Sequence, residues 1–413
     1  MAAVFLAPVY LLCNAYIIYW MIKWLNVTVP VLGRGAGLVA VLVVYVFFMV
    51  SLLTSFLMTK HPSRRCLKKI SDQWLGSFAY ILGITVLLDL LHRLLLLTPL
   101  SGTWLYSGNG MVFAGTAGAV GMILVIVYGI RHADKIVLTR YQIRIHKAYR
   151  SEKQQNLRIV LLADLHLGSS VGKKQVSRIV SMVNQCRPDL IVIAGDLFDN
   201  DFSSIEDPEE TASLLAEMES RLGTWACWGN HDINEKILAG FTFSVPGGVC
   251  VDPRFDEFLR QAKIHMMNDD CCLMDDSFYL IGRKDPQRIE KTGETRMEPE
   301  ELLKQTDESL PVIVIDHQPK QLRELAQAGV DLDLSGHTHN GQVFPGNLFL
   351  RLMWKNPCGV KKIGTMYSVV TSGAGYWGPG LRVGTDNEVV LIETSFTNTS
   401  KSQIKTGFSG EGK

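Results

Sequence analysis

The Cys-x-x-Cys spacing is missing from this sequence. Its eight cysteines (Cys13, Cys66, Cys186, Cys227, Cys250, Cys271, Cys272 and Cys358) include no Cys-x-x-Cys, and several fall inside predicted strands or helices. That argues against a disulfide framework and for reduced thiols. A surplus of one charge is missing as well. With 41 Lys and Arg against 40 Asp and Glu the net charge is +1, so nothing recommends nucleic acid as a partner. No segment repeats. The first apolar stretch lacks the basic flank and small-residue cleavage site of a secretory signal, so it is read as a membrane helix. Charge is scarce before residue 131, and all five candidate site motifs follow that point. The implied division is a membrane portion, 1–130, a folded domain, 137–395, and a disordered tail, 396–413, rich in Ser, Gly, Thr and Lys.

Four apolar stretches, at about 3–22, 36–58, 75–98 and 110–130, reach or approach the roughly 20 residues that a helix needs to cross hydrocarbon. Basic residues orient them. Lys60, Arg64, Arg65, Lys68 and Lys69 follow the second stretch, and Arg131, Lys135, Arg140, Arg144 and Lys147 follow the fourth. The first connection holds only Lys23 and Arg34, and 98–109 holds no Lys or Arg. Four crossings put both basic segments on one side, which predicts a cytoplasmic N-terminus and a cytoplasmic folded domain, where the acceptor pattern Asn398-Thr-Ser400 would go unglycosylated. Asp89, His92 and Arg93 lie within the third stretch, where charge is expensive. They form either a proton or ion pathway or a self-paired cluster that fixes packing. The second is favoured, because Asp89 and Arg93 are four apart and the other stretches offer no matching charge. Ala114, Ala117, Gly118 and Gly121 give the fourth stretch the spacing of a close helix contact, in a bundle or a dimer.

Beyond the stretches, 137–146 alternates apolar and polar residues as a half-exposed strand does. Amphipathic helices follow, marked by Val176, Ile179, Val180 and Val183, by Leu214, Leu215, Met218 and Leu222 after an Asp207-Pro208 cap, and by 320–328 stopped at Gly329. A short helix is expected near 255–262, with strands near 264–267, 272–274, 278–282, 365–372 and 388–393. Strand, helix, strand order predicts an α/β (α+β) domain with its site at the carboxyl ends of strands. Five apolar runs fit that plan. Asn156–Leu162 leads to Asp164 and His166, Leu190–Ala194 to Asp196 and Asp199, and Trp225–Trp228 to Asn230, His231 and Asp232; Pro311–Ile315 leads to Asp316 and His317, and Val330–Leu334 to His337 and His339. Asp, Asn and His are the donors that bind divalent ions of intermediate hardness.

Read as ligands, these residues form two sets with one shared member: Asp164, His166, Asp196 and His339 for one ion, and Asp196, Asn230, His317 and His337 for a second. Two ions about 4 Å apart can share a hydroxide and clamp the oxygens of a phosphoryl group in an in-line displacement. His231 is left over, suited to protonate the leaving oxygen or to stabilise charge on the phosphorane, with Asp199 expected to orient its ring. Asp232 is either an orienting residue behind the ligands or a plain turn residue. Trp225, Cys227 and Trp228 are read as core.

Asp164-x-His166, Gly195-Asp196-x-x-Asp199, Gly229-Asn-His-Asp232, His317 and Gly336-His-x-His339, in this order, resemble the calcineurin-like metallophosphoesterase superfamily over about residues 137–395. The resemblance implies a β-sandwich of two mixed sheets flanked by helices and a two-metal centre in which manganese, iron and zinc are not distinguished. It also implies hydrolysis of phosphomonoesters or phosphodiesters. One position departs. Where the Ser/Thr protein phosphatases of this superfamily carry an Arg after the second Asp of the Gly-Asp motif, this chain has Asn200, which argues against protein phosphatase activity and for the diesterase-like branches. The expectation is a membrane-tethered hydrolase in contact with membrane lipids, its tether inviting a lipid-linked substrate. Its alternatives are a metal-binding scaffold, or a metal-poor one whose mark would be lost ligands, and a regulatory domain attached to a receptor or transporter bundle.

Overall fold

The computed structural model describes residues 2–58, 64–147, 149, 156–238, 241–244 and 251–397. Lys60, Cys250, Asn398-Thr-Ser400 and most of the expected tail lie outside the described residues. The chain divides into two compact units, one of Met1–Ala133, Lys236–Ser244 and Gly378–Val383, the other of Asp134–Glu235, Val245–Trp377 and Gly384–Lys413.

In the first unit three helices are long and apolar enough to cross a membrane: Gly35–Leu57, Arg64–Leu95 and Gly108–Ala133. They cover the second, third and fourth expected stretches. The middle one starts earlier than hydropathy indicates, because the helix takes Arg64, Arg65, Lys68 and Lys69 into its first turns, where Lys68 pairs with Asp72 one turn on at 2.8 Å. The first expected stretch is a helix, Ala2–Thr28. Asp89 is paired within the bundle: Arg93 Nε donates to its Oδ1 over 3.1 Å and the Tyr16 hydroxyl to its Oδ2 over 2.8 Å, while His92 stacks on Tyr106. This is the packing cluster favoured above, with Tyr16 as an added partner. Gly118 meets Leu88 so closely that a Cβ there would lie 2.7 Å from its Cδ1, so at this position the small-residue stripe serves contact inside the chain.

The strands, in chain order, are β1 (Ile136–Ile145), β2 (Asn156–Leu162), β3 (Leu190–Ala194), β4 (Thr224–Cys227), the hairpin β5 (Glu235–Leu238) and β6 (Phe241–Ser244), β7 (Ile264–Met267), β8 (Asp270–Met274), β9 (Phe278–Gly282), β10 (Val312–Ile315), β11 (Leu332–Ser335), β12 (Gly359–Ile363), β13 (Met366–Val370) and β14 (Asn387–Phe396). In the second unit they form two six-stranded sheets, ordered β1-β14-β2-β3-β4-β7 and β12-β13-β11-β10-β9-β8. Both sheets are mixed. The pairs β14–β2, β12–β13 and β8–β9 are antiparallel, whereas β2-β3-β4-β7 and β13-β11-β10-β9 run parallel.

Why the strands read as unbroken apolar runs is plain from where their faces go. Leu157, Ile159 and Leu161 of β2, Leu190 and Val192 of β3, Ile313 and Ile315 of β10 and Leu332 and Leu334 of β11 share one core between the sheets. The alternate residues Val160, Leu162, Ile191 and Ile193 pack outward under the helices Lys173–Cys186, Pro208–Leu215 and Arg254–Gln261. Val312 and Val314 do the same against Leu302, Leu322 and Leu325 on the other side. A strand covered on both faces needs no polar alternation. The result is the expected sandwich of mixed sheets flanked by helices. Three local expectations are modified. The helix opened by Asp207-Pro208 ends at Leu215, so Met218 and Leu222 lie beyond it. Asp207 stands at the N-cap of Pro208–Leu215, but its carboxylate pairs with Lys173 instead of capping, and the helix Gly346–Met353 and strand β12 were not anticipated. Gly329 ends Leu322–Ala328 at φ +104°, a conformation that only glycine adopts freely.

Candidate dinuclear metal site

Because β2, β3 and β4 are parallel neighbours in one sheet, and β10 and β11 in the other, the loops after these five strands gather at one edge of the sandwich. Backbone hydrogen bonds tie the loops together: Asp164 N to Gly195 O, His166 N to Asp196 O, and Gly336 N to His317 O, each 3.0 Å. At this edge the backbone leaves ordinary geometry. Asp164, His166, Asp196, His337 and His339 all have φ between +46° and +71°. Each such residue costs about 1 kcal/mol or more, and such costs persist where surrounding structure fixes a functional geometry.

The seven expected ligands converge as two clusters. In the first, His166 Nε2 lies 3.1 Å from His339 Nε2 and 3.8 Å from Asp196 Oδ2, and His339 Nε2 lies 3.8 Å from Asp164 Oδ1. In the second, His317 Nε2 lies 3.1 Å from Asp196 Oδ2, 3.0 Å from Asn230 Oδ1 and 3.2 Å from His337 Nδ1. Asp196 Oδ2 belongs to both clusters, and its Oδ1 accepts from the backbone of His231 at 2.8 Å. Asp164–His166–His339 and Asp196–His317–His337 are each close enough to hold a metal ion, as is His166–Asp199–His231.

Do these residues fit divalent ions? Ring nitrogens that face one another at 3.1–3.2 Å, with a carboxylate oxygen between the pairs, form a set of donors aimed at common points. His317 Nδ1 donates to Ala194 O at 2.8 Å, which fixes the tautomer that frees Nε2 as a donor. Burial pushes His166 down to about 4, and burial with the charge of His317 pushes His337 down to about 3, so both rings are neutral and carry the lone pair a cation needs. His317 runs the other way. Burial lowers it, but Asp196 beside it outweighs burial and raises it well above the usual imidazole range, a proton held where a cation would otherwise answer the carboxylate. The cradle is also tight: a Cβ at Gly229 would lie 2.2 Å from Asp196 Oδ1, and one at Gly336 would lie 2.8 Å from Asp164 Oδ2. The residues fit the ions.

His231 sits beside both clusters, its ring edge-on to His166 at 5.2 Å and near Trp377 at 5.5 Å. Its orienting partner differs from the expectation. Asp199 has its carboxylate within 4.8 Å of the His231 and His166 ring nitrogens, but the ring's hydrogen bond goes to Asn200, with His231 Nδ1 2.5 Å from Asn200 Oδ1. Asn200, at φ +56°, also donates its backbone N–H to His231 O, and its amide nitrogen is buried without a partner among the described residues. The sequence signal for Asn200 was its departure at this position. What it does there depended on a left-handed backbone turn that no pattern reveals. Asp232 accepts from the N–H groups of Gly229 (2.7 Å) and Phe198 (2.9 Å), so it pins the loop after β4 to the loop after β3. Burial and the Asp196 charge push its carboxyl up to about 7.

Residues unnoticed in the sequence stand behind His317. Asp316 turns away from the site and receives Arg283 Nη1 at 2.9 Å and Arg296 Nη2 at 2.6 Å, with Arg283 wholly buried. Both arginines come from the 233–310 section, where isolated basic residues give no hint of burial.

Parallel strand ends that bring two sets of His, Asp and Asn donors around one shared carboxylate define a metallohydrolase type of site. More particularly, residues 157–341 match the calcineurin-like phosphoesterase family. It is similar to a transmembrane protein with metallophosphoesterase domain from Danio rerio, 32% identical over 58% of this chain and 54% of that one. It is also similar to an uncharacterized metallophosphoesterase from Helicobacter pylori, 33% identical over 62% of this chain and 64% of the relative. More distantly, at 22% identity, 45% of this chain matches 64% of a UDP-2,3-diacylglucosamine pyrophosphatase from Chlamydia trachomatis. The chain thus spans between half and two thirds of the length of these curated relatives.

Proposed function

We propose that this chain is a membrane-anchored, metal-dependent phosphoesterase that hydrolyses a phosphodiester or phosphomonoester, and that its substrate is lipid-linked. The observation that carries the reading is the convergence of two four-residue donor sets on Asp196 Oδ2. Asp164, His166, Asp196 and His339 would hold one divalent ion, and Asp196, Asn230, His317 and His337 the other. Bound there, the ions would supply Lewis-acid binding of phosphoryl oxygens and a lowered pKa for water.

The chain's own residues do the rest. Asn200 Oδ1 holds the His231 Nδ1–H, so the ring presents Nε2 as its exchangeable position. As imidazolium, His231 stabilises negative charge on the phosphoryl oxygens and hands the Nε2 proton to the departing alkoxide. Asp232 and Ala194 O keep the loops and the His317 tautomer in register. An uncharged amide at Asn200 offers no cation to a phosphate dianion, which favours diesters. The pyrophosphatase named above acts on a diacylated sugar nucleotide, and three apolar helices with the basic segments after the second and fourth stretches favour a domain at the cytoplasmic membrane face.

The test is hydrolysis of 4-nitrophenyl phosphate and bis(4-nitrophenyl) phosphate by the purified full chain with manganese, with zinc and with chelator. Metal-dependent turnover, greater on the diester, is expected. Turnover unaffected by chelator would overturn the reading.

A further inference from the structure

The helix Gly346–Met353 sets Leu348, Phe349, Leu352 and Met353 on one face, and these are 51, 61, 86 and 76% exposed. Phe344, just ahead of it, is half exposed. A contiguous apolar face bared to water marks a surface that something covers. Charge narrows what covers it. From Leu334 to Thr385 the sequence contains no Asp or Glu, while Arg351 lies in the helix, Lys355 just after it, and Lys361 and Lys362 in β12, where Lys361 reaches back to the Lys355 backbone. Among the described residues Lys361 Nζ bonds only a backbone oxygen, that of Lys355, and Lys362 Nζ lies over the Tyr367 ring at 5.2 Å. Desolvation and then the charges of Arg323 and Lys361 lower the Lys355 pKa, with Glu324 opposing, so the cations are crowded more than they are answered.

The same segment is tied to the metal site. Its inner side rests on the turn His339–Gly341, the Trp354 ring packs edge-on against His337 at 5.3 Å, and the Thr338 hydroxyl donates to Pro357 O at 2.5 Å. We propose that this face docks on an anionic phospholipid leaflet, with the 344–353 side chains entering the interface and Arg351, Lys355, Lys361 and Lys362 meeting lipid phosphates. Amphipathic helices with a basic flank bind bilayers in this way. A bilayer is within reach: only Asp134 and Lys135 separate Gly108–Ala133, long and apolar enough to cross one, from β1. Docked, the helix holds His337 and His339 beside the headgroup layer. The proposal rests on the membrane anchoring proposed above and not on the hydrolytic reading.

The test is hydrogen exchange, read by mass spectrometry, on the full chain in nanodiscs of phosphatidylcholine alone and of phosphatidylcholine with about a third phosphatidylserine. Amides of 344–355 are expected to exchange at least about fivefold more slowly in the anionic discs. The gain should vanish in Leu352→Glu/Met353→Glu and shrink in Lys361→Glu/Lys362→Glu, while 173–186 stays unchanged in every case. Equal exchange in both discs overturns the proposal, and is the result expected if a second copy or a soluble protein covers the face. Free exchange within Gly35–Leu57 and Gly108–Ala133 would show that anchoring itself fails, whatever the hydrolytic activity.

Discussion

Replacing Asn200 with alanine removes one acceptor and little else. Asn200 Oδ1 is 2.5 Å from His231 Nδ1, and no other hydrogen bond is seen for that ring among the described residues. A hydrogen bond to a charged ring is worth about 1.5–3 kcal/mol, against about 1 for a neutral one. Only the part that grows with the ring's charge acts on the barrier, about 1–2 kcal/mol, which is a loss of about 5–30-fold in kcat/KM. Among the described residues the side chain makes no hydrogen bond to either donor cluster, so metal content should stay as in the unaltered protein. The assay is diester hydrolysis with manganese, run as a cycle of Asn200→Ala, His231→Ala and the double variant. If Asn200 acts through His231, the double variant is as slow as His231→Ala alone, itself down about 10²–10⁴-fold. Independent, multiplying losses, or loss of metal in Asn200→Ala, would refute the assignment.

Other consequences are also measurable. Asp316→Ala strands the buried Arg283 guanidinium and should destabilise the domain by about 3–5 kcal/mol, seen as a lowered melting temperature, whereas an unchanged one would mean that Gln321 and the Met297 carbonyl suffice. Gly229→Ala drives a methyl against the Asp196 carboxylate and backbone, so it should lose metal, measured by mass spectrometry, before it loses fold. Burial and the charge of Asp316 push the Asp333 carboxyl up to about 7 from 3.8. A raised carboxyl means the folded chain holds the proton that the unfolded chain releases, so between about pH 4 and 7 the stability from this group falls by about 1.4 kcal/mol per pH unit. Asp333→Asn cannot ionise and should gain stability relative to the unaltered protein at pH 8 compared with pH 5; equal differences at both pH values would contradict this.

Some of this was legible in the residues and some was not, for physical reasons. The five site strands declare themselves because both faces are buried: Leu190–Ala194 has nowhere to put a polar side chain, so its run is unbroken and its end at Gly195-Asp196 is sharp. The donor sets were readable because each strand end carries only two or three suitable residues. The partner of His231 was not, since Asp199 and Asn200 are adjacent in sequence and only the positive φ of Asn200 turns its amide onto the ring. Nor was the Arg283–Asp316–Arg296 pairing, which joins residues from distant elements without any periodic mark. The helix Gly346–Met353 hid because an exposed apolar face has the pattern of a core helix or strand. Ahead of the third apolar stretch hydropathy is low at Arg64–Lys69 while helix propensity continues, which is why the helix outruns its apolar part.

The central claim is that Asp196 joins two metal ions in one hydrolytic centre. The direct measurement is metal content together with diester hydrolysis for the full chain and its Asp196→Asn variant. The account predicts about two divalent ions per chain in the unaltered protein, with both metal content and hydrolysis sharply reduced in the variant. A variant that retains the full metal content and hydrolyses the diester undiminished would contradict it.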